Sequence, residues 1–264
     1  MHLFDQDISL TQKKPLVFKG NISNNWSVNG TPNGGYLMAM VTNAMVKCSD
    51  KKGTPIITAN YISKSVPGGA EIVVEKFAQS TQFSRLQARL IQDGIERIRV
   101  TGTFSDEKNE CFIERYETPP PDIRPPGECI EIPPVPNFTI LDNMEMRLDP
   151  ECTGWMEGNL SDRSELKGWI RYRDRREFDL FSTLACTDSF PPPIMASQGM
   201  LAWVPTIELS INVRNIPKTT WLKCIFRTRF VNCGLLEEDG EVWDENGELI
   251  SISRQIAQFR AAGT

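Results

Sequence analysis

The chain has 264 residues, 29 of them lysine or arginine and 34 aspartate or glutamate, for a formal net charge of −5. With 40% apolar and 24% charged residues it falls in the ordinary globular range, which excludes disordered, collagenous and mucin-like chains, and its acidic balance excludes a general nucleic-acid binder. A single histidine, His2, leaves neither a catalytic imidazole nor the ligands of a structural zinc site.

Residues 1–7 carry acids where a secretory signal needs basic residues before an apolar stretch, and no run of about 18 apolar residues occurs anywhere. A cytoplasmic protein with no membrane span is expected. A first strand is predicted near residues 16–22. Residues 34–44 (GGYLMAMVTNA) read as a helix, small at its start and apolar nearly all round, as a buried helix is. Strand patterns follow over residues 55–64, 70–80, 83–92 and 96–104, the last two joined by a turn at Asp93-Gly94. Eight of the 18 prolines then fall in residues 119–136, a stiff connector because proline fixes φ and donates no backbone hydrogen bond. It divides the chain into an N-terminal unit of residues 1–118 and a C-terminal unit of residues 137–264.

The second unit repeats the order of the first. A strand near residues 168–172 and a helical segment near 178–189 precede strands over 206–214, 221–231, 235–244 and 249–259, with Asn246-Gly247 at the final turn. Each unit is thus one buried helix followed by four antiparallel strands, an α+β arrangement in which a long sheet wraps one helix, and two such sheets can pair edge to edge. Aligning the final hairpins at Gly94 and Gly247 sets Gly102 opposite Gln255, and aligning the helices sets Gly34 near Asp188. The second copy therefore carries polar groups that the first lacks, and one site per chain is expected. The seven cysteines are scattered without a C-x-x-C pair and read as reduced thiols in small core spaces. No metal site and no cofactor are expected.

Residues 26–44 (WSVNGTPNGGYLMAMVTNA) and the run from PIITANYISK to LIQDG resemble the first hotdog of the thioesterase II family of acyl-CoA thioesterases. TLACTDSFPPPIM, VPTIELSINVR and GEVWDENGELISISRQIAQFR resemble the second. The resemblance implies a tandem, or double, hotdog acting on an acyl-CoA substrate, with a catalytic aspartate, threonine and glutamine at Asp188, Thr206 and Gln255. The run Pro191-Pro192-Pro193 departs from the pattern and should end the helix early. Chemically, an aspartate can take a proton from water while a hydroxyl and an amide orient that water, so neither a covalent nucleophile nor a histidine is needed. Gly34 and Gly35, at a helix start, could present N–H groups to the thioester oxygen as substrate-binding residues.

Plainer roles stand beside these. Asp188 could be a helix N-cap, Thr206 a strand former, Gln255 a solvent-facing residue, and the glycines a close helix contact. Arg171, Arg173, Arg175 and Arg176 could meet coenzyme A phosphates or form a salt-bridged loop. Trp26, Trp169, Trp203 and Trp221 could line an acyl pocket or fill core. The sequence has no G-x-S-x-G elbow, phosphate loop or H-E-x-x-H motif. Two alternatives to hydrolysis are an acyl-CoA binding protein without turnover and a hotdog dehydratase, the latter disfavoured by the lack of a histidine. Hotdog sheets commonly associate, which leaves a homo-oligomer open.

Overall fold

The computed structural model describes residues 1–106, 113–200 and 202–261. The first unit comprises β1 (Thr11–Lys14), β2 (Val17–Ile22), helix α1 (Gly34–Cys48), β3 (Gly53–Tyr61), β4 (Gly68–Gln79), β5 (Phe83–Gln92) and β6 (Ile95–Ser105). The second comprises β7 (Ile130–Glu131), β8 (Met144–Leu148), β9 (Ser164–Tyr172), helix α2 (Leu180–Thr187), β10 (Thr206–Val213), β11 (Leu222–Thr228), β12 (Leu235–Asp244) and β13 (Leu249–Gln258). All these strands belong to one sheet in the order β1-β2-β4-β5-β6-β3-β10-β13-β12-β11-β9-β8-β7, and every pairing is antiparallel.

The order is a mirror about its centre. β3 and β10 join the units, and at their midpoint Thr58 stands opposite Ser210 with the two hydroxyl oxygens 2.9 Å apart. Outward from that pair, β6 corresponds to β13, β5 to β12, β4 to β11 and β2 to β9. Each unit contributes one helix to the concave side. In α1 every residue from Gly35 to Thr42 is buried, as its all-round apolar pattern requires, because sheet and α2 enclose it from different sides. The strands show the period of two of a sheet with one face inward: along β5, Ser84, Leu86, Ala88, Leu90 and Gln92 are buried and alternate with less buried residues.

The helix ends follow local chemistry. Asn33 caps α1 by accepting the Tyr36 N–H, and Asp179 caps α2 in a capping box with Ser182. α1 runs for 15 residues, but α2 stops after 8 at Thr187, four residues before the three prolines. The proline-rich stretch lies against the second unit. Ile123 and Cys129 pack with Trp169 and Trp221 in a small separate core, and β7 pairs with β8. No helix of the described residues is long and apolar enough to cross a membrane.

Candidate active site

The N-terminus of α1 abuts the C-terminus of α2, and glycine makes the contact possible. A Cβ on Gly35 would stand 2.8 Å from both the Leu184 carbonyl oxygen and the Asp188 Cβ, closer than side-chain carbons approach. A Cβ on Gly34 would stand 2.8 Å from Asp188 Oδ2 and from the Tyr61 hydroxyl. Asp188 is the residue that closes α2, and Oδ2 accepts the Gly35 N–H at 2.7 Å and the Asn33 amide at 3.2 Å. The same Asn33 amide donates to the Asp188 carbonyl at 2.7 Å. The end of α2 is itself pinned: Thr187 Oγ1 lies 2.9 Å from Ser251 Oγ on β13, and the Ser189 hydroxyl donates to the Ala185 carbonyl at 2.6 Å.

Beneath this junction lies the concave face of the sheet. Gln255 on β13 is 6% exposed and stands opposite Leu209 of β10 on one side and Glu238 of β12 on the other. Directly opposed residues of antiparallel strands share a face, so Glu238 projects inward with Gln255. Thr206 stands opposite Ala257, two residues along β13 from Gln255, with a bulge between Thr206 and Glu208. Tyr61, at the end of β3, brings a hydroxyl that is buried without a hydrogen-bond partner among the described residues.

The site is electrostatically unusual. Burial pushes the Asp188 carboxyl up to about 7, against the pull of the Gly35 N–H and the Asn33 amide toward the charged form. Burial, with the Asp188 charge as the next cause, also raises Glu238 well above the usual carboxylate range. Tyr61 is raised by the same two causes and stays protonated. One carboxylate that titrates near neutrality, held on a helix N-terminus, is suited to proton abstraction from water.

Residues 22–105 match the acyl-CoA thioesterase N-terminal domain, and residues 118–259 match the acyl-CoA thioesterase C-terminal domain. The chain belongs to the acyl-CoA thioesterase family. Among solved structures, a Thermobifida fusca protein assigned to the thioesterase II type superimposes with a TM-score of 0.90, at 22% identity and with all of both chains covered. A hot dog fold protein of unknown function from Alicyclobacillus acidocaldarius gives 0.89 at 20% identity, with 99% of each chain covered. An uncharacterised Mycobacterium tuberculosis protein is 22% identical over 270 residues, covering 93% of this chain and 91% of its own. These likenesses establish the double hotdog fold.

Within this thioesterase fold the arrangement amends the repeat alignment. Gly34 and Asp188 are not equivalents: Gly34 opens α1 whereas Asp188 closes α2, and they are neighbours because the two helix ends meet. The hairpin alignment holds, since Gly102 lies between Ile57 and Leu86 just as Gln255 lies between Leu209 and Glu238. Asp188 is not the N-cap of its own helix, and Gln255 does not face solvent. The Gly35 N–H is already taken by Asp188, which makes Gly34 the available donor of the pair.

Other candidates resolve as structural. Arg171 pairs with Glu145 and stacks on Trp221 at 4.0 Å, Arg173 pairs with Glu131 at 2.9 Å, and Arg176 is buried between Asp5 and Asp179, 2.6 Å from each. Of the four arginines only Arg175, at a left-handed turn with φ of 59°, has no ion pair among the described residues. Trp26 packs in the core against Phe4, Tyr36 and Tyr172, and Trp169 and Trp221 belong to the small core behind the proline stretch. The side chain of Trp203 lies outside the described residues, as does Cys111. His2 sits at the surface against Asp174 at 2.8 Å. Among the described residues no His, Cys, Asp and Glu group could hold a metal ion.

Asn33, Tyr61 and Glu238 were not singled out by sequence. Asn33 had a visible signal as a polar residue just before a helix start. Glu238 had one in the alternation of Leu236, Glu238, Gly240 and Val242, which puts it on the inward side of its strand.

Proposed function

We propose that the protein hydrolyses acyl-CoA thioesters to the free acid and coenzyme A at one site per chain, without a covalent intermediate. The observation that carries this reading is Asp188: a carboxylate seated on the N-terminus of α1, with a pKa of about 7, above a concave face that presents Gln255. Asp188 takes a proton from water as the water oxygen attacks the carbonyl carbon. Thr206 and Gln255 orient that water, Gln255 through an amide that both donates and accepts. The Gly34 N–H, reinforced by the helix dipole, faces the oxygen that gains charge. Collapse of the tetrahedral species breaks the C–S bond, whose electron pair leaves on the sulfur of coenzyme A. The reading also places the enzyme in the cytoplasm.

The test is release of free thiol from a panel of acyl-CoAs. Asp188→Asn should lower kcat about 10²–10⁴-fold, the usual worth of a general base. For the wild type, kcat/KM should rise with pH through about 7, because only the ionised carboxylate accepts the proton. An unchanged rate in Asp188→Asn would remove Asp188 from the mechanism. Tight acyl-CoA binding with no thiol release at any chain length would favour a binding protein instead.

A further inference from the structure

Glu238 is the one carboxylate of the site that the hydrolytic scheme leaves without a task. Its sequence neighbours are occupied on the outer face. Glu237 accepts the Arg229 and Phe230 N–H groups at 2.8 Å each, and Asp239 pairs with Arg254 at 2.7 Å and Arg229 at 3.3 Å. Glu238 points the other way, on the inward row with Leu236, Gly240 and Val242, and has neither a cation nor an N–H partner among the described residues. It is only partly buried, so unlike the enclosed Tyr61 hydroxyl it is open to a ligand. The equivalent residue of the first unit is Leu86, fully buried, which is what packing alone would select at that position. An acid on the inner face, beside Gln255 and facing the end of α2, costs stability that no ion pair among the described residues recovers.

We propose that Glu238 is the general acid of this site, delivering a proton to the sulfur of the departing coenzyme A while Asp188 takes the proton of the attacking water. The inference rests on the hydrolytic reading and adds a residue to it. The water oxygen bonds to the carbonyl carbon and one water proton passes to Asp188. The C–S bond then breaks with its electron pair leaving on sulfur, and the Glu238 proton neutralises that sulfur as it leaves. Asp188 is now protonated and Glu238 ionised, and transfer of one proton from the first to the second restores the starting state. Two carboxyl groups in one partly buried site favour a single shared charge, which is how paired acids divide acid and base roles. Burial first, then the charge of Asp188 at the end of α2 and those of Asp239 and Glu237 on the other face of its own strand, all hold the Glu238 proton on.

The experiment compares two leaving groups. Wild type and Glu238→Gln are assayed on an acyl-CoA and on the same acyl group esterified to 4-nitrothiophenol, whose thiolate is a weak base that departs without a proton. On acyl-CoA the variant should lose about 10–10²-fold in kcat with KM changed less than about threefold, the pattern of a group acting only in the transition state. On the aryl thioester it should run within about threefold of wild type. The wild type should show an alkaline fall in kcat/KM with acyl-CoA that is absent with the aryl thioester, a measurement that does not depend on the variant folding. Equal losses on both esters, no loss on acyl-CoA, or a wild-type alkaline limb identical for both esters would each overturn the assignment. A wild type inert on every thioester would overturn the hydrolytic reading itself, a result distinct from any of these.

Discussion

The two hotdogs share a register and differ in what they put on it. In the first, the row across β3, β6 and β5 is Ile57, Gly102 and Leu86; in the second, the matching row across β10, β13 and β12 is Leu209, Gln255 and Glu238. Gly102 has no side chain because its space is filled: a Cβ there would stand 2.6 Å from Met45 Cε and 2.8 Å from Phe104 Cε2. Met45, from the later turns of α1, helps to fill it, and α2, ending at Thr187, has no counterpart of those turns. One copy fills the row with apolar core and the other with polar side chains. Neither is complete alone, since the carboxylate of the second unit is held by Asn33 and Gly35 of the first.

Exchanging the two rows is the severest way to break this comparison. Leu86→Glu buries a carboxylate at a position with no exposed surface, where the directly opposed cation, Lys76 of β4, already lies against Asp50 at 3.3 Å, and should cost about 3–5 kcal/mol. Glu238→Leu, the reverse exchange, should leave stability within about 1 kcal/mol of wild type or raise it, because it removes an unpaired acid from a partly buried face. Chemical denaturation of the two variants measures both. Equal destabilisation would mean that the two rows are equivalent surroundings and that the units do not differ in this way.

A smaller effect is expected where the units touch. Gly35→Ala sets a Cβ against the Leu184 and Ala185 carbonyl oxygens at 2.8 and 3.0 Å, and backbone cannot swing aside as the tip of a side chain can. Separation of the helix ends should cost about 1–3 kcal/mol and lengthen the bond from the Gly35 N–H to Asp188. Gly69→Ala is the control, since a Cβ there meets nothing within 4 Å. The pair is read by thermal melts together with thiol release. Activity lost in the first with its melting temperature unchanged would show that the junction holds Asp188 without holding the fold.

The sequence made the scaffold legible and the junction less so. Strands alternate with period two and α1 is apolar all round, so each declares itself within about a dozen residues of chain. Asp188, Thr206 and Gln255 were found through resemblance and repeat. Placing Gln255 on the inner face, however, needed the register of β13 against β10. Gly34 and Asp188 do not align because α2 is about half the length of α1 and ends just ahead of the prolines, at Thr187 rather than at the residue 189 that the apolar pattern suggests. Glu238 was hidden inside Glu237-Glu238-Asp239, an acid run that reads as solvated until alternation separates its middle member from the other two. Tyr61 and Asn33 belong to the site only because two helix ends meet, a contact between residues about 150 positions apart.

The finest distinction between the units is the ionisation cost that only the second carries. In the folded chain Asp188 keeps its proton up to about pH 7, whereas in the unfolded chain it releases it near the usual 3.8. Between those values the unfolded state binds fewer protons than the folded one, so the contribution of Asp188 to stability falls as pH rises through that window and its cost is complete above about pH 7. Glu238 and Tyr61 hold their protons and bring no positive charge, so only the Gly35 N–H and the Asn33 amide oppose the cost of burying the Asp188 charge. Asp188→Asn keeps an oxygen for the Gly35 N–H and removes the ionisation. At pH 8 it should therefore be more stable than wild type by about 1–2 kcal/mol, less than the full shift would imply because Asp188 keeps one side toward solvent. A gain of that size moves the melting temperature of a chain this long by roughly 2–8 °C. At pH 4 the difference should shrink to near zero. A variant that loses hydrolysis and gains stability in the same pH range would mark Asp188 as a residue kept for chemistry. A loss of stability at pH 8 would mark its bond to α1 as the structural tie between the two hotdogs.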